Sequence, residues 1–501
     1  MHAPPTGTTG TPALPPQQSG TPARAAAQAA AAGPRARRPA PPWWMWAVVS
    51  GLFLVHATLS LRLHERLDSN AFDLGIFEQG VRSYAEGHLP VSEVKGPDFP
   101  LLGDHFSPVL ALLAPFYLAW PSPRTLLVAQ AALVAVSPLP LMRWAHRALG
   151  TVAALVIGVC YGLSWGIASA TGFDFHEWVF AVPLLTCSLC ALGQGRLRSA
   201  VLWALPMLLV KEDMGSTVAV IALLAAWRAG PGRRRWLGIA VAAGSVVWML
   251  LTLLVVLPAF NPAGNYAYTG DLGGFPPGAG GGIGHVLEKV TIGLVTPETK
   301  VATTVMVLAP TLFLALRSPL VLVAVPTVLW RGLSEDSSHW GTGYHYSLTL
   351  MPIVFAAFLD ALLRRGTTPA GLRRYLAGAA GVCLMLLPAY KLGELLKPEF
   401  WKTDPRVAVA QRVLARIPDG ATVQASNQLV PHLSDRTSVS MFGWAASRPD
   451  PQWIVVDTGV PAELHWPLNP LQEWVALSDR RAAGYRTVTE EGGFVLLTRT
   501  R

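Results

Sequence analysis

Several short stretches of the 501-residue sequence gather carboxylates, imidazoles and a lysine between long apolar runs. The first reads Asn70-Ala-Phe-Asp73-Leu-Gly-Ile-Phe-Glu78-Gln79, followed in the same loop by Gly103-Asp104-His105-Phe-Ser-Pro108. Helical spacing sets Phe72, Ile76 and Gln79 on one side and Asp73 near Phe77 on an adjoining one, so a carboxylate projects from an amphipathic helix lying on a membrane. Such a carboxylate is a candidate general base. The spacing fits ordinary surface carboxylates at Asp73 and Glu78 equally well, because a single carboxylate carries no specificity. The second stretch, Phe173-Asp174-Phe175-His176-Glu177-Trp178, holds three ligand-type side chains in four positions. Asp174 and His176 are candidate ligands of a divalent metal, Mg²⁺ or Mn²⁺, with Asp73 as a further donor. The alternative is an interfacial loop whose polar groups bind helix ends and water.

Lys211-Glu212-Asp213 interrupts an apolar stretch, and charges so placed are costly unless paired or wet. A lysine there can hold a phosphate as a point charge, oriented by Glu212 or Asp213; a self-paired turn between two half-helices is the other reading. The segment 331–346 brings Tyr344 and His345, suited to a pyrophosphate or a sugar, although tyrosines at this depth also form interfacial belts. A run with five glycines between Gly278 and Gly284 lacks a following G-K-[ST] and is no phosphate loop.

The elements that position these residues are membrane helices. The chain is 51% hydrophobic and 14% charged with a mean hydropathy of +0.39, which excludes a cytosolic enzyme, a disordered regulator and a disulfide scaffold. All four cysteines lie in apolar runs, and the Cys187–Cys190 spacing falls inside a helix, where it reads as packing. Eleven apolar segments are expected to span, beginning with Trp43 to Leu61. Several of the others are shorter than the ~17 residues that usually span, so 199–210 with 214–227 and 301–316 with 319–331 read also as broken or re-entrant pairs. Residues 1–42, rich in Pro and Ala with four arginines, read as a disordered basic tail. Residues 43–393 read as the transmembrane domain with a long first external loop, 62–124, in which 106–120 is a partly buried helix outside the membrane. From residue 394 the pattern changes to amphipathic and strand-like runs, a small α/β domain.

This topology places 17 of the 39 Lys and Arg residues, with only Asp360 among the acids, on one side, and 22 basic with 29 acidic residues on the other. By the positive-inside rule the N-terminus is cytoplasmic and the domain 394–501 extracytoplasmic, in a multi-pass plasma-membrane protein. The net charge of +9 is therefore a topology signal, and nucleic-acid binding loses its support. Ionisable residues are nearly absent at mid-membrane and gather at the external helix ends. That pattern suits an enzyme acting on a lipid-linked substrate at one interface better than an ion-coupled transporter.

Together Phe72-Asp73-Leu-Gly-Ile-Phe-Glu78-Gln79, Gly103-Asp104-His105-Phe-Ser-Pro108, Phe173-Asp174-Phe175-His176-Glu177, Lys211-Glu212-Asp213 and Tyr344-His345-Tyr346 resemble an uncharacterised polytopic family catalogued as domain of unknown function 2079. The resemblance runs over about 45–460 and includes Asn427-Gln-Leu-Val-Pro431-His432. It implies similarity to the GT-C glycosyltransferases: a helical bundle whose enzymes move a sugar from a polyprenyl-phosphate carrier to a cell-envelope acceptor at the extracytoplasmic face. On that resemblance Asp73 is the catalytic base, Asp174 and His176 occupy a D-x-H metal spacing, and Glu78, Asp104, His105, Glu177, Lys211, Glu212, Asp213, Tyr344 and His345 bind substrate. The chain lacks a W-W-D-type signature. A lipid-linked-sugar flippase and a non-catalytic glycolipid-binding scaffold are the rival readings.

Overall fold

The computed structural model describes His2 and residues 40–268 and 283–499. Most of the expected tail, 1–42, and most of the glycine run fall outside the described residues, and Trp43–Arg501 forms one compact unit. Five helical stretches are long and apolar enough to cross a membrane: Trp43–Glu65, Arg124–Leu149, Arg233–Phe260, His345–Arg364 and Pro369–Ala389. A sixth span results if Thr151–Gly162 and Trp165–Thr171, bent by 42°, count as one.

Among the described residues, five or six of the eleven expected spans are thus long and apolar enough by themselves to cross a membrane. Glu177–Gly193, Leu197–Leu209, Met214–Ala229 and Pro319–Leu333 are apolar but hold fewer than 18 residues, and a helix rises only about 1.5 Å per residue. Residues 301–316 do not run through as one helix. The helix Glu298–Leu308 ends before Pro310, and Leu312 and Phe313 then take left-handed backbone, because proline cannot continue the hydrogen-bond ladder. The segment expected as an external helix is the short Pro108–Ala119.

Packing follows the apolar faces. Trp43–Glu65 lies along Arg124–Val136, Met214–Ala229 along Arg233–Leu251, and Leu350–Arg364 sits centrally, every residue from Leu350 to Leu362 buried. A hairpin of two short strands, β1 (Val91–Ser92) and β2 (Phe99–Pro100), decorates the first loop. The C-terminal part builds a five-stranded mixed sheet of β3 (Thr422–Ala425), β4 (Ser438–Met441), β5 (Trp453–Asp457), β6 (Tyr485–Glu491) and β7 (Phe494–Arg499) in the order β4-β3-β5-β7-β6. Strands β4, β3 and β5 run parallel and β7 antiparallel to β5 and β6.

The period of two along these strands divides the core between two faces. Ile454, Val456, Val495 and Leu497 pack with Leu477 of the helix Pro470–Ala482. Val423, Val439, Val455 and Leu496 pack on the other face with Val413 and with Ala71, Ile76, Val94 and Leu101 of the first loop. The first loop therefore shares a core with the C-terminal sheet. Polar links reinforce the contact: the Gln79 amide donates to Val439 O at 2.8 Å, the Arg448 guanidinium meets Glu93 at 2.9 Å, and Arg82 donates to Ser434 O and Thr437 O.

Gly103 ties the same loop to residues 260–261. A Cβ there would stand 2.5 Å from Asn261 N and Phe260 C, both backbone atoms, and Asn261 Nδ2 donates to Gly103 O at 3.0 Å. Gly103→Ala is expected to lower the melting temperature of the purified protein, at a cost of about 1–3 kcal/mol. An unchanged melting temperature would show that this approach is not rigid.

Candidate active site

Asp73 lies on a π-helical turn, Ala71–Gly75, that runs into the helix Ile76–Ala85. Single π turns are rare and recur at functional sites. The turn is held by two residues from distant parts of the chain. The Asp174 carboxylate accepts from Asn70 N at 2.8 Å and Asn70 Nδ2 at 3.0 Å. Asn427 Oδ1 accepts from Ala71 N at 2.9 Å, while Asn427 Nδ2 donates to Asn70 Oδ1 at 2.9 Å.

Asp174 itself has a φ of +84°, uncommon for a non-glycine residue but tolerated by Asp. Gln130 clamps the segment, donating to Asp174 O at 2.5 Å and accepting from His176 N at 3.0 Å. The imidazole of His176 is thereby aimed at Asp73, with Nε2 3.3 Å from Oδ1. The two atoms are at contact distance but not aligned as a hydrogen bond, and Nε2 has no hydrogen-bond partner in the protein.

His345 stacks on His176 with ring centroids 3.3 Å apart, and Phe173 carries Tyr344 edge-on at 4.6 Å. Beside them Lys211 Nζ meets Glu177 Oε1 at 2.8 Å and lies 5.2 Å from the Trp178 ring centre. His345 Nδ1, Glu177 Oε2, Trp178 Nε1, Asp213 Oδ1 and Thr349 Oγ1 are likewise buried without a protein partner. Buried polar atoms are nearly always satisfied, so this concentration of open hydrogen-bonding capacity marks a ligand site.

A second group adjoins it. His105 Nδ1 and Phe106 N each lie 3.0 Å from the Glu212 carboxylate. Asp104 pairs with Lys95 at 3.0 Å and accepts from Tyr268 OH at 2.9 Å, and His105 stacks on the Tyr268 ring at 4.8 Å. Of the sequence-derived candidates, Asp73, His176, Glu177, Lys211, Tyr344 and His345 thus come together, with Asp104, His105 and Glu212 in the adjoining group. Asp213 stands between, its carboxyl pushed up to about 7 by burial and by Glu212.

Glu78 is not brought to the site. It is fully buried against Tyr117, and burial pushes its carboxyl up to about 7. Its side chain points away because it is five positions beyond Asp73 on a helical path. The expected metal pair also diverges: the Asp174 carboxylate is engaged by Asn70 while the His176 ring faces Asp73. Among the described residues no group of three or more His, Cys, Asp or Glu side chains is placed to hold a metal ion.

Sequence reasoning missed Asn70, Lys95, Gln130, Tyr268 and Asn427. Lys95 is the only lysine in 62–124, a signal that was there to be used. The amides of Asn70 and Gln130 act through backbone bonds that no spacing announces.

Electrostatics sharpen the arrangement. Burial raises the Asp73 carboxyl well above the usual carboxylate range, aided by Asp174 and Glu177 and opposed by Lys211 and Lys95. Burial also keeps the His176 imidazole neutral, well below its ordinary value, with Lys211 and His105 adding to the effect. Burial disfavours the Lys211 ammonium, but Glu177, Glu212 and Asp213 outweigh it and hold it charged. A buried proton acceptor, a neutral imidazole and a fixed cation thus stand together.

A cavity of about 550 Å³ beside Asp419, His432 and Arg436 shares no residue with this cluster, and its position gives it no part in the chemistry above.

The profile of the family described as predicted membrane protein DUF2079 matches residues 63–496. No curated protein matches. Among solved structures, ArnT from Cupriavidus metallidurans bound to undecaprenyl phosphate is similar at a TM-score of 0.56 and 14% identity, over 92% of this chain and 99% of that one. The apo structure of the same protein gives a TM-score of 0.47 at 13% identity, over 90% of this chain and 98% of that one. The likeness to ArnT is one of fold.

Burial raises the Asp73 carboxyl first and the Asp174 carboxylate adds to it, so Asp174→Asn should lower the Asp73 pKa while keeping an oxygen for Asn70. Carbodiimide, which reacts with the protonated acid, is expected to label Asp73 in the unmodified protein at pH values where ordinary carboxylates are inert. The labelling midpoint should move down in the variant; a midpoint that stays or rises would remove Asp174 as a cause.

Proposed function

The chain belongs to the DUF2079 family of predicted membrane proteins and shares its fold with ArnT, and from these premises we propose that it is a membrane glycosyltransferase of the GT-C kind. In this reading it moves a sugar from a polyprenyl-phosphate carrier to a cell-envelope acceptor at the extracytoplasmic face of the plasma membrane. The N-terminus is then cytoplasmic and the C-terminal sheet extracytoplasmic, as the charge asymmetry argues. The observation that carries the reading is the Asp73–His176 contact of 3.3 Å beside the fixed ammonium of Lys211, among buried polar atoms without protein partners. The undecaprenyl phosphate bound by ArnT supports a polyprenyl lipid as the donor.

The chemistry is a single displacement with inversion. Asp73 takes the proton of the acceptor hydroxyl as its oxygen bonds to the anomeric carbon, and the bond from that carbon to the phosphate oxygen breaks. The electron pair leaves on the phosphate, whose charge Lys211 balances with hydrogen bonding from His345. His176, kept neutral, orients Asp73. Asp104, His105 and Glu212 hold the adjoining wall, and Tyr344 borders the sugar.

The base must be ionised to act. Its raised pKa therefore puts the acid limb of kcat/KM above the usual carboxylate range, with activity rising as pH rises through that value.

Purified protein in lipid vesicles, given labelled polyprenyl-phosphate sugars and a cell-envelope extract, is expected to label an envelope product. Asp73→Asn should reduce transfer by about 10²–10⁴-fold, and Lys211→Ala by about 10²–10³-fold in kcat. Transfer that survives Asp73→Asn would displace the base. Tight donor binding without transfer from any donor would shift the reading to a flippase or a binding scaffold.

A further inference from the structure

Phe72, the chain neighbour of Asp73, sits in an aromatic cluster contributed mainly by the C-terminal domain. Its ring lies 4.8 Å from Trp444 and 4.9 Å from Trp466, and the two tryptophans are 5.7 Å apart. The cluster is open on one side, where Trp466 is 45% exposed. Behind Trp466 is a shallow recess lined by Gln428, Asp457, His465 and Glu473. Its volume of about 10 Å³ suits one water-sized group, such as a hydroxyl.

The recess holds unused hydrogen-bonding capacity. The His465 side chain is only 4% exposed; its Nε2 contacts Val460 O at 3.1 Å, while Nδ1, 3.4 Å from Glu473 Oε2, has no aligned partner. The cations nearby are committed: Arg406 to Asp457 at 2.5 Å and Lys95 to Asp104 at 3.0 Å. A phosphate would meet carboxylates here, whereas a neutral polyol would meet acceptors and an imidazole. A pyranose presents an apolar C–H face, which packs on an aromatic ring, and an edge of hydroxyls, which needs such partners.

We infer that Trp466, Trp444 and Phe72, with the recess at His465 and Glu473, form a saccharide platform that presents the sugar end of the acceptor to Asp73. The inference rests on the glycosyltransferase reading for the word acceptor. The binding of a saccharide there stands on the site alone. The lipid-linked donor keeps to the Lys211 side, and the two substrates meet at the turn that carries Phe72 and Asp73.

The test is calorimetric titration of the full chain in detergent micelles with free di- and trisaccharides of N-acetylglucosamine, mannose and galactose. Saturable binding of at least one is expected, weakened about fivefold by Trp466→Ala, since an aromatic contact contributes on the order of 1 kcal/mol. Trp466→Phe, which keeps a ring, should retain most of the binding and controls for folding. Binding of none of these probes, or binding undiminished in both Trp466→Ala and Trp444→Ala, would overturn the platform. Shielding of Trp466 from an aqueous quencher on addition of sugar-free lipid vesicles would overturn it in favour of a membrane contact. Saccharide binding without any transfer would remove the enzyme reading and leave the platform. Transfer by Trp466→Ala with an unchanged acceptor KM would do the reverse.

Discussion

The geometry turns on the carboxylate of Asp174, which receives both N–H groups of Asn70. A five-residue π turn makes few hydrogen bonds of its own and is too short to persist unaided. Fixing Asn70 fixes where that turn begins, and so where Asp73 points. Asp174 serves this purpose in a left-handed conformation, a local cost that Gln130 helps offset by bonding to the backbone on either side of Phe175. The same clamp directs His176 at Asp73. One loop thereby supplies both the anchor of the proton acceptor and its orienting imidazole, which explains why Asp174 and His176 alternate in sequence and yet do not converge in space.

The second constraint is the interruption at Lys211-Glu212-Asp213. Helices on either side are too short to cross a membrane singly, and the break between them sends adjacent side chains in different directions. Lys211 turns to Glu177, and Glu212 turns to His105 and Phe106 N. Ions buried this way are tolerated only where their partners are close and hydrogen-bonded. Burial opposes the Glu212 charge, but His105 and Lys211 hold its carboxyl down at about 2, so the break carries fixed opposite charges. A plain turn of Gly and Ser would link the helices more cheaply but would not join the two polar groups on either side of it.

How much of this was legible follows from what each signal measures. Hydropathy located the helices, because burial in lipid or in the bundle requires the same side chains; it does not separate a span from a short buried helix, and several apolar helices are shorter than a single crossing needs. The strand-like runs after residue 394 were visible through their β-branched and apolar residues, β5 and β7 as continuous apolar runs. Strand β6 was not, since its exposed residues, Arg486 to Val488 among them, give no such pattern at a sheet edge. Among site residues, those with unusual chemistry in apolar surroundings stood out, Asp73, His176, Lys211 and His345 above all. Glu78 was misread because its local sequence resembles that of Asp73 while its helical phase does not. The amides that carry the arrangement, Asn70, Gln130 and Asn427, are common polar residues whose role exists only once distant segments meet.

Asn427 shows what the C-terminal sheet contributes. Its amide completes the hydrogen bonding of the turn before Asp73, and it follows directly on β3, whose Val423 and Ala425 share the core with Ala71 and Ile76. The sheet is thus part of the wall of the site, packed as tightly to the first loop as to its own helices. A reaction between a lipid-borne group and a water-borne one needs a junction where membrane helices and a soluble surface meet without slack, because errors of about 1 Å in placing reacting groups cost heavily in rate. A shared core provides that rigidity where a tethered domain would not. The helices bring the cation and the imidazoles, the sheet brings the amide and the aromatic rings, and the turn carrying Asp73 is held between them.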